Sequence, residues 1–275
     1  MLRRLARNLL PGGLLQMVKR MASREESELH RIRRISRYRE FRTDILGPAL
    51  SAPDSLSFVN AYQAIFKEKI YEFRPSTPKP LIIDGGTNIG LSVLFFKRSY
   101  PDCRVIAFEP DPKIFAYLEK NLSGAARDNV QLVPKALWDS ERQLHFDSEG
   151  SDAGRIASND RPKGDLVVSA VRLRNYLTEK IDLLKLDVEG AELVILEDCK
   201  ESLVEVKNIF VEYHSRQDRK QEIARLFGIL EGAGFRLHVQ PEMTSGQPFL
   251  TRNSYLGYDL QLRVFGFRPP DTSQS

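Results

Sequence analysis

Cysteine is almost missing from these 275 residues, with Cys103 and Cys199 the two present. Two cysteines do not make a disulfide scaffold, and their separation does not match a metal knuckle. They read as reduced, buried thiols of a cytoplasmic protein. No apolar run reaches the length a bilayer requires. A secretory leader is also a poor fit: Pro11-Gly12-Gly13 interrupts the short apolar start, and no small-residue cleavage site follows. No Gly-Lys-Ser/Thr follows a glycine turn, which excludes a phosphate-binding P-loop, and no glycine triplet falls in the GxGxxG frame of a dinucleotide site. Zinc-finger spacings and RNP-type aromatic strands are absent, so there is no specific nucleic-acid module.

What is present is unevenly charged. The chain carries a net +4, yet residues 1–42 hold twelve Arg or Lys against four Glu, so the remainder is acidic. A basic segment of this kind meets an anionic membrane surface, nucleic acid or an acidic partner, or is a solvated helical face. Leu5, Leu9 and Leu10 beside Arg3, Arg4 and Arg7 motivate peripheral membrane contact through residues 1–42.

The chain divides by texture into an N-terminal helical extension (1–75), a main domain (76–268) and a flexible tail (269–275). In the extension, Leu2, Leu5, Leu9 and Leu10 recur at helical spacing, and Leu14, Leu15, Val18 and Met21 follow as a second short helix. The stretch from Glu26 to Arg42 places Leu29, Ile32, Ile35 and Tyr38 on one stripe, and Leu56 to Tyr71 is amphipathic. After the turn-rich Pro75 to Pro80, Leu81-Ile82-Ile83 reads as a strand buried on both faces. Further strands at 104–108, 130–134, 181–186, 208–213, 236–239 and 260–267 alternate with helices at 92–99, 112–122, 191–199 and 219–232. Such alternation with short connections defines an α/β fold with a parallel sheet. Arg142 to Phe146 and Leu166 to Leu173 are extended, and Ser148 to Gly164 between them, rich in Ser, Asp and Gly, reads as a loop.

Three strand ends carry the chemistry. Asp84-Gly85-Gly86-Thr87-Asn88-Ile89-Gly90 directly follows the first buried strand and opens a helix. Glycines there let the backbone turn tightly and approach a ligand. The acid preceding them suits a cationic ligand group more than a pyrophosphate. Glu109 in Phe108-Glu109-Pro110-Asp111 ends the next strand, 25 residues after Asp84, where a carboxylate accepts from both hydroxyls of a ribose. Ala136 and Leu137, after the third strand, are placed to flank a flat purine ring. Without a ligand, the same features are a glycine turn, a helix-capping acid and core packing.

These residues and one further string resemble a known family. Ile83 to Gly90, together with Ile181-Asp182-Leu183-Leu184-Lys185-Leu186-Asp187-Val188-Glu189-Gly190-Ala191-Glu192, is similar to the FkbM-type methyltransferases, within the class I S-adenosylmethionine-dependent enzymes. Phe108-Glu109-Pro110 and Val211-Glu212-Tyr213-His214 agree in order and spacing. The resemblance spans roughly residues 80–215. It implies a Rossmann-like, seven-stranded, mostly parallel sheet with its last strand reversed. It also implies O-methylation of a small-molecule secondary metabolite or a sugar. Asp84, Gly85, Gly86, Asn88, Gly90 and Asp187 would hold the S-adenosyl-L-methionine, Glu109 its ribose, and Ala136 and Leu137 its adenine. The N-terminal helices would cover the site or form a homodimer.

The catalytic candidates are Lys185, Asp187, Glu189 and His214. The first three cluster with Glu192 where a strand gives way to a helix, the edge that faces the ligand crevice in open α/β sheets. Asp187 and Glu189 fall on one side if the strand continues through them, and they are the candidate ligands of a divalent cation. His214 emerges at the same edge if its strand is a parallel neighbour, and its intrinsic pKa suits a general base. Glu192 falls in a first helical turn, where negative charge is favoured. The structural alternative is a salt-bridged strand end. Transfer to nitrogen or carbon, methylation of a lipid-linked glycan at a membrane, and a non-catalytic cofactor-binding regulator are the competing functions.

Overall fold

The computed structural model describes residues 12–47, 49–148, 150, 154–156 and 166–269. The helix expected at Leu2 to Leu10, most of the Ser148 to Gly164 loop and nearly all of the tail lie outside them. The first element, α1 (Gly12–Arg33), runs through the point where the sequence suggested two helices. It also stops earlier than the charged stripe implied. The amides of Arg34 and Ile35 donate to carbonyls three residues back, and Tyr38 turns the chain at φ 58. Its backbone N–H donates to Asp54 Oδ2 at 2.7 Å. Leu29 and Ile32 are therefore buried, whereas Tyr38 points outward.

Strands β1 (Phe41–Thr43) and β2 (Leu50–Ala52) form an antiparallel pair, and α2 (Ser55–Tyr62) follows. Asp54 caps that helix, accepting from Ser57 N at 2.9 Å, which satisfies an amide with no intrahelical partner. The helix expected to run to Tyr71 ends at Tyr62 and passes into a π-helical turn, Gln63–Lys67. Among the described residues one compact unit ends at Gln63 and the second begins at Ala64, not at 76. The segment up to 75 belongs with the second unit because its aromatics pack there. Tyr71 sits edge-on to Phe210 at 4.9 Å, and Phe73 lies 4.5 Å from Tyr100.

The second unit is built on β3 (Leu81–Gly85), which is buried along its whole length. Helix α3 (Leu91–Ser99) leads to β4 (Arg104–Phe108), and α4 (Pro112–Asn121) leads to β5 (Val130–Val133). The chain then leaves the sheet. Strands β6 (Ala136–Trp138), β7 (Gln143–Asp147), β8 (Arg155–Ile156) and β9 (Leu166–Arg172) form a second sheet in the order β6-β9-β7-β8. Its small core joins Leu144, Phe146, Val168 and the two alanines 136 and 170. Strand β8 falls inside the stretch the sequence presented as a loop.

The main sheet resumes with β10 (Ile181–Leu186), α5 (Glu192–Cys199), β11 (Val206–Arg216), α6 (Ile223–Gly232), β12 (Arg236–Met243) and β13 (Tyr258–Phe267). Its order is β12-β13-β11-β10-β3-β4-β5. The pairs from β5 to β11 are parallel, and β13 alone runs antiparallel to both of its neighbours. This is the seven-stranded Rossmann-like sheet with a reversed last strand. The order reverses between β3 and β10: from β3 the chain first builds outward through β4 and β5, then returns to lay β10 on the other side. That switch opens a crevice at the carboxyl ends of the two strands.

Two strand ends approach each other there at backbone distance. Gly86 has φ +83, and a Cβ at that position would lie 1.8 Å from the carbonyl oxygen of Asp187. Only glycine fits both constraints. Gly86→Ala is expected to destabilise the fold by more than about 3 kcal/mol. Gly228→Ala, in α6 with open space around it, gains about 0.5–1 kcal/mol. Urea unfolding of the two variants checks this, and equal midpoints would dismiss the close approach.

Candidate active site

The glycine turn is held from below by charge. The β3–β10 register sets Lys185 opposite Asp84. The Lys185 Nζ lies 3.1 Å from Asp84 Oδ1 and 3.7 Å from Asp187 Oδ2, and donates to the Gly86 carbonyl at 2.8 Å. Burial opposes the ammonium charge, but the carboxylates of Asp84 and Asp187 outweigh it, and the Lys185 pKa lies above its usual value. Asp84 also accepts from Ser92 Oγ at 2.5 Å on the following helix. Both members of the pair are buried, at 0% and 2% exposure. Asp84 and Lys185 thus anchor the glycine turn from within.

The turn itself is hung from β4. Phe108 O accepts from Gly86 N at 3.1 Å and Thr87 N at 3.0 Å. Glu109 accepts from Asn88 N at 3.0 Å and from Asp111 N at 2.9 Å. Asn88 takes a left-handed φ of 52, and Gly90 begins α3 with φ 95. Burial pushes the Glu109 carboxyl up to about 7, although the two amides pull the other way. Two hydrogen bonds leave the carboxylate further lone pairs for a ligand diol. Leu137 lies in the main core, where its Cδ1 would meet a Cβ on Gly85 at 2.8 Å, and Ala136 is buried in the smaller core. Leu137 thus backs the glycine turn, and Ala136 packs the second sheet.

On the other side of the switch, β10 and β11 are parallel, which brings His214 to the edge that carries Asp187. The His214 side chain is fully shielded. Its Nδ1 lies 3.1 Å from Glu192 Oε1, which already accepts from Val188 N at 3.1 Å and Gly190 N at 3.0 Å. Nδ1 is therefore the donor, and Nε2 faces Glu189 Oε2 at 3.6 Å and Glu212 Oε1 at 3.8 Å. Burial works against a charge on the ring, yet Glu189, Glu192 and Glu212 overcome it and hold the His214 pKa well above its usual value. Burial, reinforced by Asp187, pushes Glu212 up to about 8.

Sequence spacing implied a pairing of Asp187 with Glu189; the fold groups Asp187 with Glu212 and His214 instead. One donor atom of each lies within 4.8 Å of the others. Glu189 occupies the left-handed region, at φ 55; its carbonyl accepts from Tyr258 Oη at 3.1 Å, and its carboxylate faces His214 Nε2. Glu192, part of the charged cluster in the sequence, lies against the imidazole, whereas Tyr258 is a neighbour that the linear pattern did not reveal: it arrives on β13, 44 residues after His214, with its ring 5.1 Å from the imidazole. His145 and His238 have no place in this group. At the opposite ends of the strands a cleft of about 470 Å³ opens between Ser76 and Arg268. Its charges pair among themselves, as Arg104 with Glu179 and Lys180 with Glu205, and it is remote from the crevice chemistry.

A Rossmann-like sheet with a glycine turn, a strand-end glutamate and an acid–imidazole group across the switch is the layout in which open α/β sheets bind nucleotide-like ligands. The profile of the methyltransferase FkbM domain matches residues 84–237, and the chain belongs to that family of methyltransferases. Methyltransferase sdnD of Sordaria araneosa is 31% identical over 211 residues, covering 63% of this chain and 80% of that protein. Methyltransferase 1 of Beauveria bassiana is 27% identical over 207 residues, covering 65% and 81%. The 2-O-methyltransferase NoeI of Sinorhizobium fredii is 27% identical over 161 residues, covering 51% and 65%.

Removing one member of a buried ion pair strands the other. Lys185→Met is expected to destabilise the protein by about 3–5 kcal/mol, and adding Asp84→Asn should recover a large part of that loss. A double-mutant cycle from urea denaturation measures it; strictly additive losses would mean the pair is not coupled.

Proposed function

We propose that this methyltransferase transfers a methyl group from S-adenosyl-L-methionine to a hydroxyl oxygen of a small-molecule secondary metabolite or a sugar. The observation that carries the reading is the meeting of Asp187, Glu212 and His214 at the crevice beside the glycine turn. When bound, the cofactor supplies a sulfonium methyl whose C–S bond breaks, its electrons passing to sulfur, as the new C–O bond forms. The residues present fit such a ligand. Glu109 follows β4 with unused lone pairs for two ribose hydroxyls. The crevice is rich in carboxylates, which favours a cationic ligand.

Asp187 is the group best placed to take the hydroxyl proton. Its side chain is 27% exposed, whereas the imidazole of His214 is wholly shielded. Its backbone N–H donates to Gly85 O at 3.1 Å, which holds the strand end against the glycine turn. His214 stands behind, set by Glu192 and facing Glu189 and Glu212. Holding an acceptor oxygen between Asp187 and the methyl-bearing face supplies much of the rate through positioning. An oxygen acceptor is further supported by the name of NoeI, a 2-O-methyltransferase.

Two measurements test this. Calorimetric affinity for S-adenosyl-L-methionine should fall about tenfold per pH unit below about 7 and level off above it, because the ribose hydroxyls donate to ionised Glu109. Glu109→Gln should bind weakly with a flat profile; undiminished binding would place the ribose elsewhere. Asp187→Asn should lower kcat by about 10²–10⁴-fold on an acceptor found by screening hydroxylated metabolites and sugars, while cofactor binding persists. Undiminished turnover would exclude Asp187 as the base.

A further inference from the structure

The acid–imidazole group has more negative charge than its own cations balance. Asp187, Glu189, Glu192 and Glu212 all surround His214 or one another, and Glu242 adds its charge to Glu212. Lys185 stands 3.7 Å from Asp187 but is already shared with Asp84. Arg263 is engaged by Glu242 and Glu68. Carboxylates crowded in a shielded corner are costly unless a cation joins them.

A second, separate observation concerns the imidazole. His214 Nε2 is buried with no hydrogen-bond partner, although its side chain is completely shielded from solvent. It faces the Glu189 carboxylate at 3.6 Å and that of Glu212 at 3.8 Å, and one donor atom each from Asp187, Glu212 and His214 lies within 4.8 Å of the others. Behind it, Nδ1 donates to the Glu192 carboxylate. A carboxylate on the far nitrogen is the arrangement that fixes tautomer and ring orientation in metal-ligating histidines. Two carboxylates and one imidazole suit a hard to borderline divalent ion, and three ligands leave coordination positions open.

We propose that Asp187, Glu212 and His214 Nε2 form a binding site for a single divalent cation of the Mg²⁺/Mn²⁺ class, with Glu192 as the positioning residue for the imidazole. The proposal rests on the reading of this edge as the transfer site and adds to it. An ion here would draw the acceptor hydroxyl into place and make its proton more acidic. Asp187 has two carboxylate oxygens, one for the ion and one for that proton.

The test uses Mn²⁺ on the full chain after chelator treatment, read by electron paramagnetic resonance and calorimetry without acceptor. Expected is one saturable site per chain, lost in Glu212→Gln and His214→Phe and weakened about 10–100-fold in Glu192→Gln. Retained binding of S-adenosyl-L-methionine shows that each variant is folded. If a variant fails that control, the wild-type titration decides alone. No saturable Mn²⁺ binding at millimolar concentration by wild-type protein that still binds the cofactor would overturn the site. So would Mn²⁺ bound equally well by Glu212→Gln. Methyl transfer at full rate after chelation would overturn the cation and leave the transfer reading standing.

Discussion

The ammonium of Lys185 ties together the parts of the site that come from distant stretches of sequence. It sits at the switch between β3 and β10, completely buried, within 3.1 Å of Asp84 and 3.7 Å of Asp187, and donates to the carbonyl of Gly86. An uncompensated charge at that depth would cost several kcal/mol. The glycine turn, the strand pairing and the placement of Asp187 therefore stand or fall together. The close approach of Gly86 to Asp187 is the steric counterpart of the same constraint. Charge pulls the two strand ends together, and the missing Cβ lets them meet.

Strain and compensation continue on the far side of Asp187. Glu189 is held in the left-handed region, where a residue with a Cβ pays an energetic penalty of about 1–2 kcal/mol. Glu192 offsets this by accepting from the amides on either side of it, Val188 and Gly190, and Tyr258 by donating to its carbonyl. Glu192 thus serves two purposes. It closes the tight turn before α5, and it orients the His214 ring through Nδ1. The loop backbone and the imidazole share one carboxylate, which couples the shape of the loop to the direction of Nε2.

Much of the fold was legible because its signals are local. Continuous apolar runs marked the buried parallel strands, and their alternation with amphipathic segments marked the crossover helices. Where local signals conflict with packing, packing prevailed. The stripe that ended at Tyr38 broke when Asp54 captured its backbone, and the segment that ended at Tyr71 broke because that ring packs against Phe96 and Phe210. In the second sheet β7 and β9 were legible as extended segments, but β6 and β8 were not, because β6 has only three residues and β8 two.

Sequence alone determined the family and the order of the strands and helices, because motif spacing and hydrophobic period are properties of the chain. It could not apportion roles among the candidate residues. Burial and register are properties of the pairing between strands, and they join Asp84 and Lys185 in a buried pair beneath the glycine turn. They bring Glu212 beside Asp187 and His214 and leave the Glu189 carboxylate facing the same imidazole. They also drew in Tyr258, which has no sequence neighbour in the site, because an antiparallel last strand returns it beside His214. Which charges remain open to a ligand is decided by what each has already neutralised, and only the folded chain brings those partners together.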